Sequence, residues 1–410
     1  MRVPFAVRDG WTTPALGTIA ETRVPMRDKP TDLTGPIPWV RIEDFDGQFI
    51  AGSKSEQGVD ELTIRAMNLK VMPTGTVLCT CSCSMGTTAI VATPLVTNQT
   101  FIGLVPDPRR LDSRFLFYAL RAFKPMLDAQ ATGAIQQYLS RDDFRQLRIP
   151  VPSLVTQRAI ADYLDAETAR IDGVIGARRK QLALMDERQH SMLSKLLVPV
   201  DTPFVRLRHL AELQSGLTVD AMRDPGPDPV VRPYLRVANV QPGWLDLDSV
   251  TEIAVPRSLA ERCTLRVGDV LMTEGGDLDK LGRGTIWRGE LPGALHQNHV
   301  FAVRPRRDVL SPDYLALLTQ TAHARAYFES TGTRTTNLAS TNSEKIMSLP
   351  IPRLTLEYQR RGVADAVAHL DGIAQLKKRT ESQVDLLLER RQALITAAVT
   401  GQLEIPGVAA

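Results

Sequence analysis

An internal repeat constrains the fold of this chain more than any other feature of its sequence. Phe101 in TNQTFIGLVP matches Phe301 in HQNHVFAVRP, about 200 residues later. Further matches follow in the same order at nearly the same spacing: Trp39–Ile42 with Tyr234–Val237, Gly75 with Gly268, Thr132-Gly133 with Thr331-Gly332, Ile149–Pro152 with Leu349–Pro352, and Glu187-Arg188 with Glu389-Arg390. The chain therefore consists of two copies of one unit.

The first part of each copy contains short apolar runs rich in β-branched residues and separated by Gly, Pro and Asn, which is typical of strands and turns. These runs are Trp39–Ile42, Thr76–Cys79, Ala89–Ala92 and Thr100–Val105 in copy one, and Tyr234–Val237, Asp269–Thr273, Thr285–Trp287 and Val300–Val303 in copy two. A helical stretch follows in each, at Ser113–Phe123 and Pro312–Phe328. This mixture predicts one compact α+β domain in each copy.

The last part of each copy is predicted to be one long helix with apolar side chains at heptad spacing. The predicted seam consists of Leu164, Ile171, Ile175, Leu182, Met185 and Met192 in the first helix and Leu370, Ile373, Val384, Leu387 and Leu394 in the second. The seam is interrupted by Arg178, Gln189, Lys377 and Thr380. Because such a seam must be buried by a partner helix, we expect the two similar helices of the chain to form a coiled coil.

Composition and motifs favour a recognition protein over an enzyme. The net charge of +3 is too small to diagnose nucleic-acid binding, which depends on clustered charge. The sequence has no phosphate-binding G-x-x-x-x-G-K-[ST] loop, no G-x-S-x-G elbow and no H-E-x-x-H motif. It also lacks an Asn-Pro-Pro or Asp-Pro-Pro motif followed by an aromatic residue, the tetrapeptide that is typical of amino-methyltransferases. We therefore expect no catalytic residues in this chain.

The sequence also bears on the cellular compartment. The start, MRVPFAVRDGW, has no apolar segment of the signal-peptide kind, and no run of eighteen apolar residues occurs. The 4 cysteines do not suggest a disulfide framework in a chain of this length. These features predict a cytoplasmic protein without a membrane segment.

Two groups of residues resemble metal ligands. Cys79, Cys81 and Cys83 alternate along a predicted strand, but zinc prefers ligands from separated loops, so three small buried side chains are favoured. His296 and His299 precede an apolar strand without an evident carboxylate partner, which favours a polar loop over a metal site. We expect no metal site.

The helices carry a family resemblance. Arg148–Leu193 contains an I-P-x-P entry at Ile149–Pro152, a Gln157–Asp165 stretch QRAIADYLD and Ala169–Asp172 (ARID), and it resembles the first conserved spacer of type I restriction–modification specificity subunits. Leu387–Ile405 resembles the closing helix of that family. Tyr234–Leu247, Gly268–Gly284 and Leu295–Pro305 are similar to one recurrent type of target-recognition domain.

The resemblance implies an architecture and a set of partners. Its segments are a first target-recognition domain at 1–152, a coiled-coil spacer at 153–200, a second target-recognition domain at 201–348, and a second spacer with a tail at 349–410. The two helices are expected to be antiparallel and to act as a ruler between two DNA readers. The implied partners are double-stranded DNA with a bipartite target, two methyltransferase subunits that use S-adenosylmethionine, and restriction subunits that use ATP and Mg²⁺.

Candidate DNA contacts follow from this reading. Arg41 and Arg236 each follow a strand and suit guanine or phosphate, whereas Gln99, Gln297 and Asn298 suit adenine. The remaining candidates are Thr132, Gly133 and Gln136 in copy one and Asn239, Lys280, Arg283, Arg334 and Asn337 in copy two. For each of them a structural turn or cap is an equal alternative.

Two other functions remain open. One is a specificity subunit of a related bipartite-cutting restriction system, which shares the mode of recognition and differs in its partners. The other is a two-headed coiled-coil scaffold that binds protein or glycan. DNA binding together with a cognate methyltransferase separates the first reading from the scaffold.

Overall fold

Two compact units divide the chain in the computed structural model, which describes residues 4–26, 28–82, 86–130, 139–218, 228–276, 281–334 and 339–406. Unit 1 comprises Met1–Arg178 and Ser382–Ala410, and unit 2 comprises Arg179–Glu381. Each unit takes one half of each long helix. The four predicted segments follow the order of domains and helices along the chain, whereas the bounds of the two compact units divide both long helices.

Unit 1 is a mixed domain with two sheets. Its elements are β1 (Ala20–Arg23), β2 (Ile37–Val40), β3 (Phe49–Ile50), β4 (Gly58–Val59), α1 (Glu61–Ala66), β5 (Val77–Thr80), β6 (Thr88–Val91), β7 (Val96–Thr97), β8 (Phe101–Pro106), α2 (Ser113–Gln130), α3 (Arg141–Gln146) and α4 (Leu154–Leu197). The larger sheet has the order β1-β8-β5-β6-β3, and the smaller one has the order β4-β2-β7.

The core of unit 1 joins the larger sheet to three helices. Phe115 and Leu116 of α2 pack in one buried cluster with Val77 of β5 and with Leu164 of α4. The C-terminal half of α9 (Leu356–Thr400) enters the same cluster through Ile395, Ala398 and Val399. The predicted domain is thus completed by residues from the far end of the chain.

Unit 2 repeats this plan. Its elements are β9 (Phe204–Arg206), β10 (Ala211–Ser215), β11 (Pro229–Leu235), β12 (Val240–Gln241), β13 (Trp244–Leu245), β14 (Thr251–Pro256), α5 (Arg257–Cys263), β15 (Val270–Thr273), β16 (Gly275–Gly276), β17 (Gly284–Ile286), β18 (Leu295–His296), β19 (Val300–Pro305), α6 (Pro312–Leu318), α7 (Ala322–Thr331), β20 (Thr333–Arg334), β21 (Ala339–Ser340), α8 (Ser343–Met347), β22 (Pro350–Pro352) and the first half of α9. The sheets β10-β19-β15-β17 and β14-β11-β18 correspond to the two sheets of unit 1. The predicted α+β fold is confirmed.

Two buried glutamines, one in each unit, make equivalent sets of hydrogen bonds, as expected for a duplicated fold. The side chain of Gln157 accepts from the N–H of Asp112 (2.8 Å) and donates to the carbonyls of Arg110 and Pro152 (2.9 Å each). In unit 2, Gln359 accepts from the N–H of Ser311 (2.8 Å) and donates to two carbonyls at 3.0 Å. Each glutamine fixes the start of its long helix against the start of α2 or α6.

The two helices run antiparallel in both units. In unit 1, Leu164 near the start of α4 packs with Ile395, while Ile171 and Ile175 pack with Val384. Unit 2 shows the reverse ends: Leu193 and Leu197 of α4 share a cluster with Ala366, Val363 and Leu370 of α9. The predicted antiparallel helix pair is therefore present.

Two predicted helices have different bounds in the structure. The stretch predicted as Ser113–Phe123 continues to Gln130 through Pro125, because the carbonyl that Pro125 leaves unbonded receives a side-chain donor from α9. The stretch predicted as Pro312–Phe328 is two helices, α6 and α7. The break follows from Thr321, whose hydroxyl caps α7 by accepting from the N–H of Ala324 (3.2 Å).

Candidate nucleic-acid interface

A short turn at the end of β2 fixes the backbone of Arg41. The chain forms a 3₁₀ turn over Ile42–Asp44, and the N–H of Arg41 donates to Oδ2 of the buried Asp44 (2.7 Å). Oδ1 of the same carboxylate accepts from the N–H of Lys54 (2.8 Å). The turn and the loop at Lys54 are thus held by one carboxylate.

The Arg41 side chain is half-buried and only partly paired. Its Nη2 lies 3.4 Å from Oγ of Ser55, whereas its Nε is buried without a hydrogen-bond partner among the described residues. Buried donors are costly when they lack an acceptor. This guanidinium therefore retains capacity for an added acceptor.

Parallel pairing brings an amide pair to the same edge. β2 pairs with β7 in parallel, with Trp39 opposite Val96 and Val40 opposite Thr97. Asn98 and Gln99 follow β7 as Arg41 follows β2. A cavity of 210 Å³ is lined by Arg41, Asn98 and Gln99 together with Met26, Lys29 and Trp39. The structure thus brings together two residues that sequence analysis selected separately.

Unit 2 contains the same arrangement at β11 and β18. Arg236 precedes a 3₁₀ turn over Val237–Asn239, and its N–H donates to Oδ1 of Asn239 (2.7 Å). Its Nη2 donates to the carbonyl of Ser249 (3.2 Å), and its Nε is buried without an acceptor in the described part of the chain. β18 pairs with β11 in parallel, and Oε1 of Gln297 accepts from the N–H of Val237 (3.4 Å).

For Asn239 the structure favours the structural turn that sequence analysis gave as the alternative to a DNA contact. Asn239 is fully buried, and its Nδ2 donates to the carbonyl of Asp246 (2.8 Å) while its Oδ1 holds the N–H of Arg236. Both ends of the amide are therefore occupied by backbone, as is the carboxylate of Asp44 in unit 1. Asn239 builds the turn that carries Arg236.

Of the other predicted DNA contacts, the structure describes some and leaves others outside the described residues. Asn298 is half-exposed next to Gln297, and its N–H donates to the carbonyl of Leu217 (3.0 Å). Arg283 is half-buried just before β17, and its carbonyl accepts from the N–H of Thr273 (3.2 Å). The candidates outside the described residues are Thr132, Gly133, Gln136, Lys280, Asn337 and the side chain of Arg334.

Sequence analysis missed three residues that line the unit 1 cavity: Lys29, Trp39 and Asn98. Nε1 of Trp39 is buried without an acceptor among the described residues. The repeat contains the signal for Asn98, because the pair Asn98-Gln99 occupies the position of Gln297-Asn298 after the corresponding parallel strand. No comparable signal identifies Lys29.

The predicted seam residues are all buried or half-buried. In unit 1, Leu164, Ile171, Ile175 and Val384 are buried, and Leu387 and Leu394 are half-buried beside them. In unit 2, the half-buried members are Leu182, Met185, Met192, Leu370 and Ile373. Two of the polar interruptions meet, because Nζ of Lys377 donates to Oε1 of Gln189 (2.8 Å) and pairs with Asp186.

The described residues that resemble metal ligands are either buried or paired with other groups of the protein. Cys79 and Cys81 are buried, and burial raises the pKa of the Cys79 thiol. Nδ1 of His296 lies 2.6 Å from the carbonyl of Val300, and His299 pairs with the carboxylate of Glu274, a partner that the sequence did not reveal. Cys83 lies outside the described residues. Within the described ranges, three or more His, Cys, Asp or Glu side chains nowhere gather into a metal-binding group.

Among the described residues, no helix is both long enough and apolar enough to cross a bilayer.

Part of the chain matches a known family, and longer stretches are similar to known proteins. Residues 9–182 match the model for the "Type I restriction modification DNA specificity domain". The EcoKI type I specificity subunit of Escherichia coli K12 is 23% identical over 333 residues, which are 74% of this chain and 68% of the relative. The MjaIX type I specificity subunit of Methanocaldococcus jannaschii is 28% identical over 156 residues, 37% of this chain and only 35% of that relative.

A solved structure shows the same fold over the whole chain. It is described as "Structural basis underlying complex assembly and conformational transition of the type I R-M system". The match covers 98% of this chain and 100% of the other, with a TM-score of 0.69 and 19% identity. Residues 9–182 of this chain thus match a type I restriction modification DNA specificity domain, and the chain as a whole is similar to type I specificity subunits in sequence and in fold.

Proposed function

We propose that this chain reads a bipartite DNA target through two equivalent turns, one in each unit. The observation that carries the proposal is the repeated pairing of an arginine with an amide pair: Arg41 with Asn98-Gln99, and Arg236 with Gln297-Asn298. Arginine binds guanine bidentately in the major groove, and Gln or Asn binds adenine. Both kinds of base reader thus lie at one sheet edge in each unit.

The turns suit readout because their backbones are held by buried side chains. Asp44 accepts a hydrogen bond from the backbone N–H of Arg41, and Asn239 accepts one from the backbone N–H of Arg236, both at 2.7 Å. A fixed backbone loses less conformational entropy when its side chains bind. The described hydrogen bonds of the two guanidinium groups involve only Nη2, to Ser55 and to the carbonyl of Ser249, and a guanine would be bound through the terminal nitrogens.

The chain acts in this proposal as a recognition subunit and not as the catalyst. Two methyltransferase subunits with S-adenosylmethionine carry out adenine methylation, and restriction subunits with ATP and Mg²⁺ carry out cleavage. The helix pair α4 and α9 is the part that positions the methyltransferase subunits. Purified alone, the chain should neither methylate nor cut DNA.

The test is methylome sequencing of a host that expresses the complex with Arg41→Gln or Arg236→Gln. Each variant should relax the sequence at one half-site and leave the other unchanged, because each unit reads separately. Loss of one bidentate contact should cost about 1–3 kcal/mol of discrimination. Exchange of residues 201–348 for a homologous domain should likewise change a single half-site.

Matched controls are Arg65→Gln on α1 and Arg262→Gln on α5, which remove the same charge from exposed positions away from the turns. Both should leave the methylated sequence unchanged. A gel shift of the complex should weaken steeply with salt, since bound phosphates release counterions. Unchanged targets in both turn variants, or salt-independent binding, would argue for a scaffold that binds protein or glycan.

A further inference from the structure

Unit 1 contains a large recess away from the Arg41 cavity. Its volume is 710 Å³, and it lies among α2, α4, the C-terminal half of α9 and the loops before β3 and β6. Its walls include Phe45, Gln48, Thr87, Arg121, Lys124 and Arg391. This volume is within the range of pockets that bind small ligands.

The carboxylates that line the recess are already used. Asp165 accepts from the Tyr118 hydroxyl (2.7 Å), from Nε2 of Gln48 (3.0 Å) and from Nη1 of Arg114 (2.8 Å). Asp172 pairs with Arg391. Both carboxylates are therefore paired with donors of the chain itself.

Arg121 is the exception among the charged groups of the wall. Its guanidinium lies over the ring of Phe117, at 5.2 Å from the ring centroid. Within the described residues its side chain makes neither a hydrogen bond nor an ion pair, and it is half-buried. Burial and the neighbouring charge of Arg391 lower the pKa of Arg121. A partly desolvated cation without an acceptor is unfavourable, and a bound anion relieves this.

We propose that this recess binds a phosphoryl group at Arg121. The planar guanidinium offers parallel N–H donors to phosphate oxygens, and Lys124 and Arg391 add positive charge on the same wall. The phosphoryl group belongs to a small ligand of at most mononucleotide size or to the DNA backbone. The recess shares no lining residue with the Arg41 cavity, and the proposal does not rest on base reading by Arg41.

Unit 2 supplies a natural contrast. When the two copies of the repeat are aligned, Gln320 takes the position of Arg121 and Val367 takes the position of Asp165. Both line a smaller recess of 390 Å³. The arginine that lines it, Arg288, pairs with Asp313 at 2.7 Å. The phosphoryl site is therefore assigned to unit 1 alone.

The experiment measures binding of inorganic phosphate to the full chain. Calorimetry and thermal unfolding are recorded in phosphate and in chloride at equal ionic strength, for the wild-type chain and for Arg121→Gln. The control is Arg109→Gln, which removes the same charge from an exposed position outside the recess. Phosphate should raise the Tm of the wild type and of the control, because a ligand of the folded state stabilises it. Arg121→Gln should bind at least tenfold more weakly.

Further measurements cover the other outcomes. Arg121→Lys keeps a cation and should retain part of the binding, which separates loss of the site from a folding defect. If AMP binds more tightly than phosphate in an Arg121-dependent manner, the source is a small ligand. If only non-specific duplex DNA binding depends on Arg121, the source is the DNA backbone. If Arg121→Gln instead weakens only assembly with the methyltransferase, or if it changes nothing, the proposal is wrong.

Discussion

Gln392 of α9 donates a 3.0 Å hydrogen bond from Nε2 to the carbonyl of Arg121, the carbonyl that Pro125 leaves without its helical partner. Proline has no N–H, so α2 would otherwise contain an unpaired carbonyl at this point. The last half of α9 therefore takes part in the hydrogen bonding of a helix that lies more than half the chain earlier.

A double-mutant cycle tests this relationship. Gln392→Ala should destabilise unit 1 by about 1–2 kcal/mol, because a part-buried carbonyl loses its donor. In a Pro125→Ala background the restored N–H can bond the same carbonyl, so Gln392→Ala should cost clearly less. Urea unfolding of the four proteins measures the coupling. Equal costs in both backgrounds would show that the two residues act independently.

The second prediction concerns the seam of unit 1. Leu387 packs beside Ile171, Ile175 and Val384, and an aspartate there would place a charge among apolar side chains. Leu387→Asp should lower the free energy of unfolding by about 2–4 kcal/mol. Glu381→Ala, at an exposed position of the same helix, should change it by less than about 0.5 kcal/mol. Chemical unfolding followed by circular dichroism distinguishes the two, and similar values would contradict the packing described.

The third prediction concerns pH. Burial lowers the pKa of the His296 imidazole below its ordinary 6.5, and its Nε2 has no acceptor among the described residues. Between the lowered folded pKa and 6.5, the unfolded chain binds more protons. Stability is therefore fully present above about pH 6.5 and falls as the pH drops below it, by at most about 1.4 kcal/mol per unit.

Replacement of the histidine checks the assignment. His296→Asn keeps a donor for the carbonyl of Val300 without the titration, so its stability should change less between pH 7 and 5.5. The exposed His209→Asn should keep the wild-type slope. Denaturant titrations at several pH values give the slopes, and a His296→Asn slope equal to that of the wild type would assign the pH dependence to other groups.

The fourth prediction tests the helices as a ruler. One heptad inserted into both α4 and α9, near Gln181 and near Gln383, keeps the apolar spacing and lengthens each helix by about 10 Å. If the helices set the gap between the half-sites, the gap should grow by about 3 bp. Affinity should fall as well, because the second half-site is rotated around the duplex. Methylome sequencing reads the gap directly, and an unchanged gap with full activity would disprove the ruler.

The repeat was the most informative feature of the sequence. Positions matched along the chain, such as Gly75 and Gly268, share a positive φ (84° and 95°) in the two units. The apolar heptads likewise predicted the helix pair, because a continuous seam must be buried. The end of α2 was not predictable, because Pro125 is tolerated only through Gln392, a contact with no local signature.

The sequence predicted some residues of the candidate site but not how they come together, because this depends on contacts between residues that are distant in the sequence. Arg41 and Gln99 were chosen for their chemistry, and only the parallel pairing of β2 with β7 brings them into one cavity. Both readings of Asn239 stayed open because an amide that caps its own turn and an amide that reads a base are the same residue in a sequence. Only its burial and its two backbone partners separate the roles.

The division of the two long helices has a consequence for synthesis on the ribosome. Unit 2 is one continuous stretch, Arg179–Glu381, whereas unit 1 needs Ser382–Ala410 to close its core through Ile395, Ala398 and Val399. The core of the domain translated first can therefore close only after Ser382–Ala410 has been translated. A premature stop codon just after position 381 would spare the later domain and leave the earlier one with an exposed apolar face, a target for proteases and chaperones.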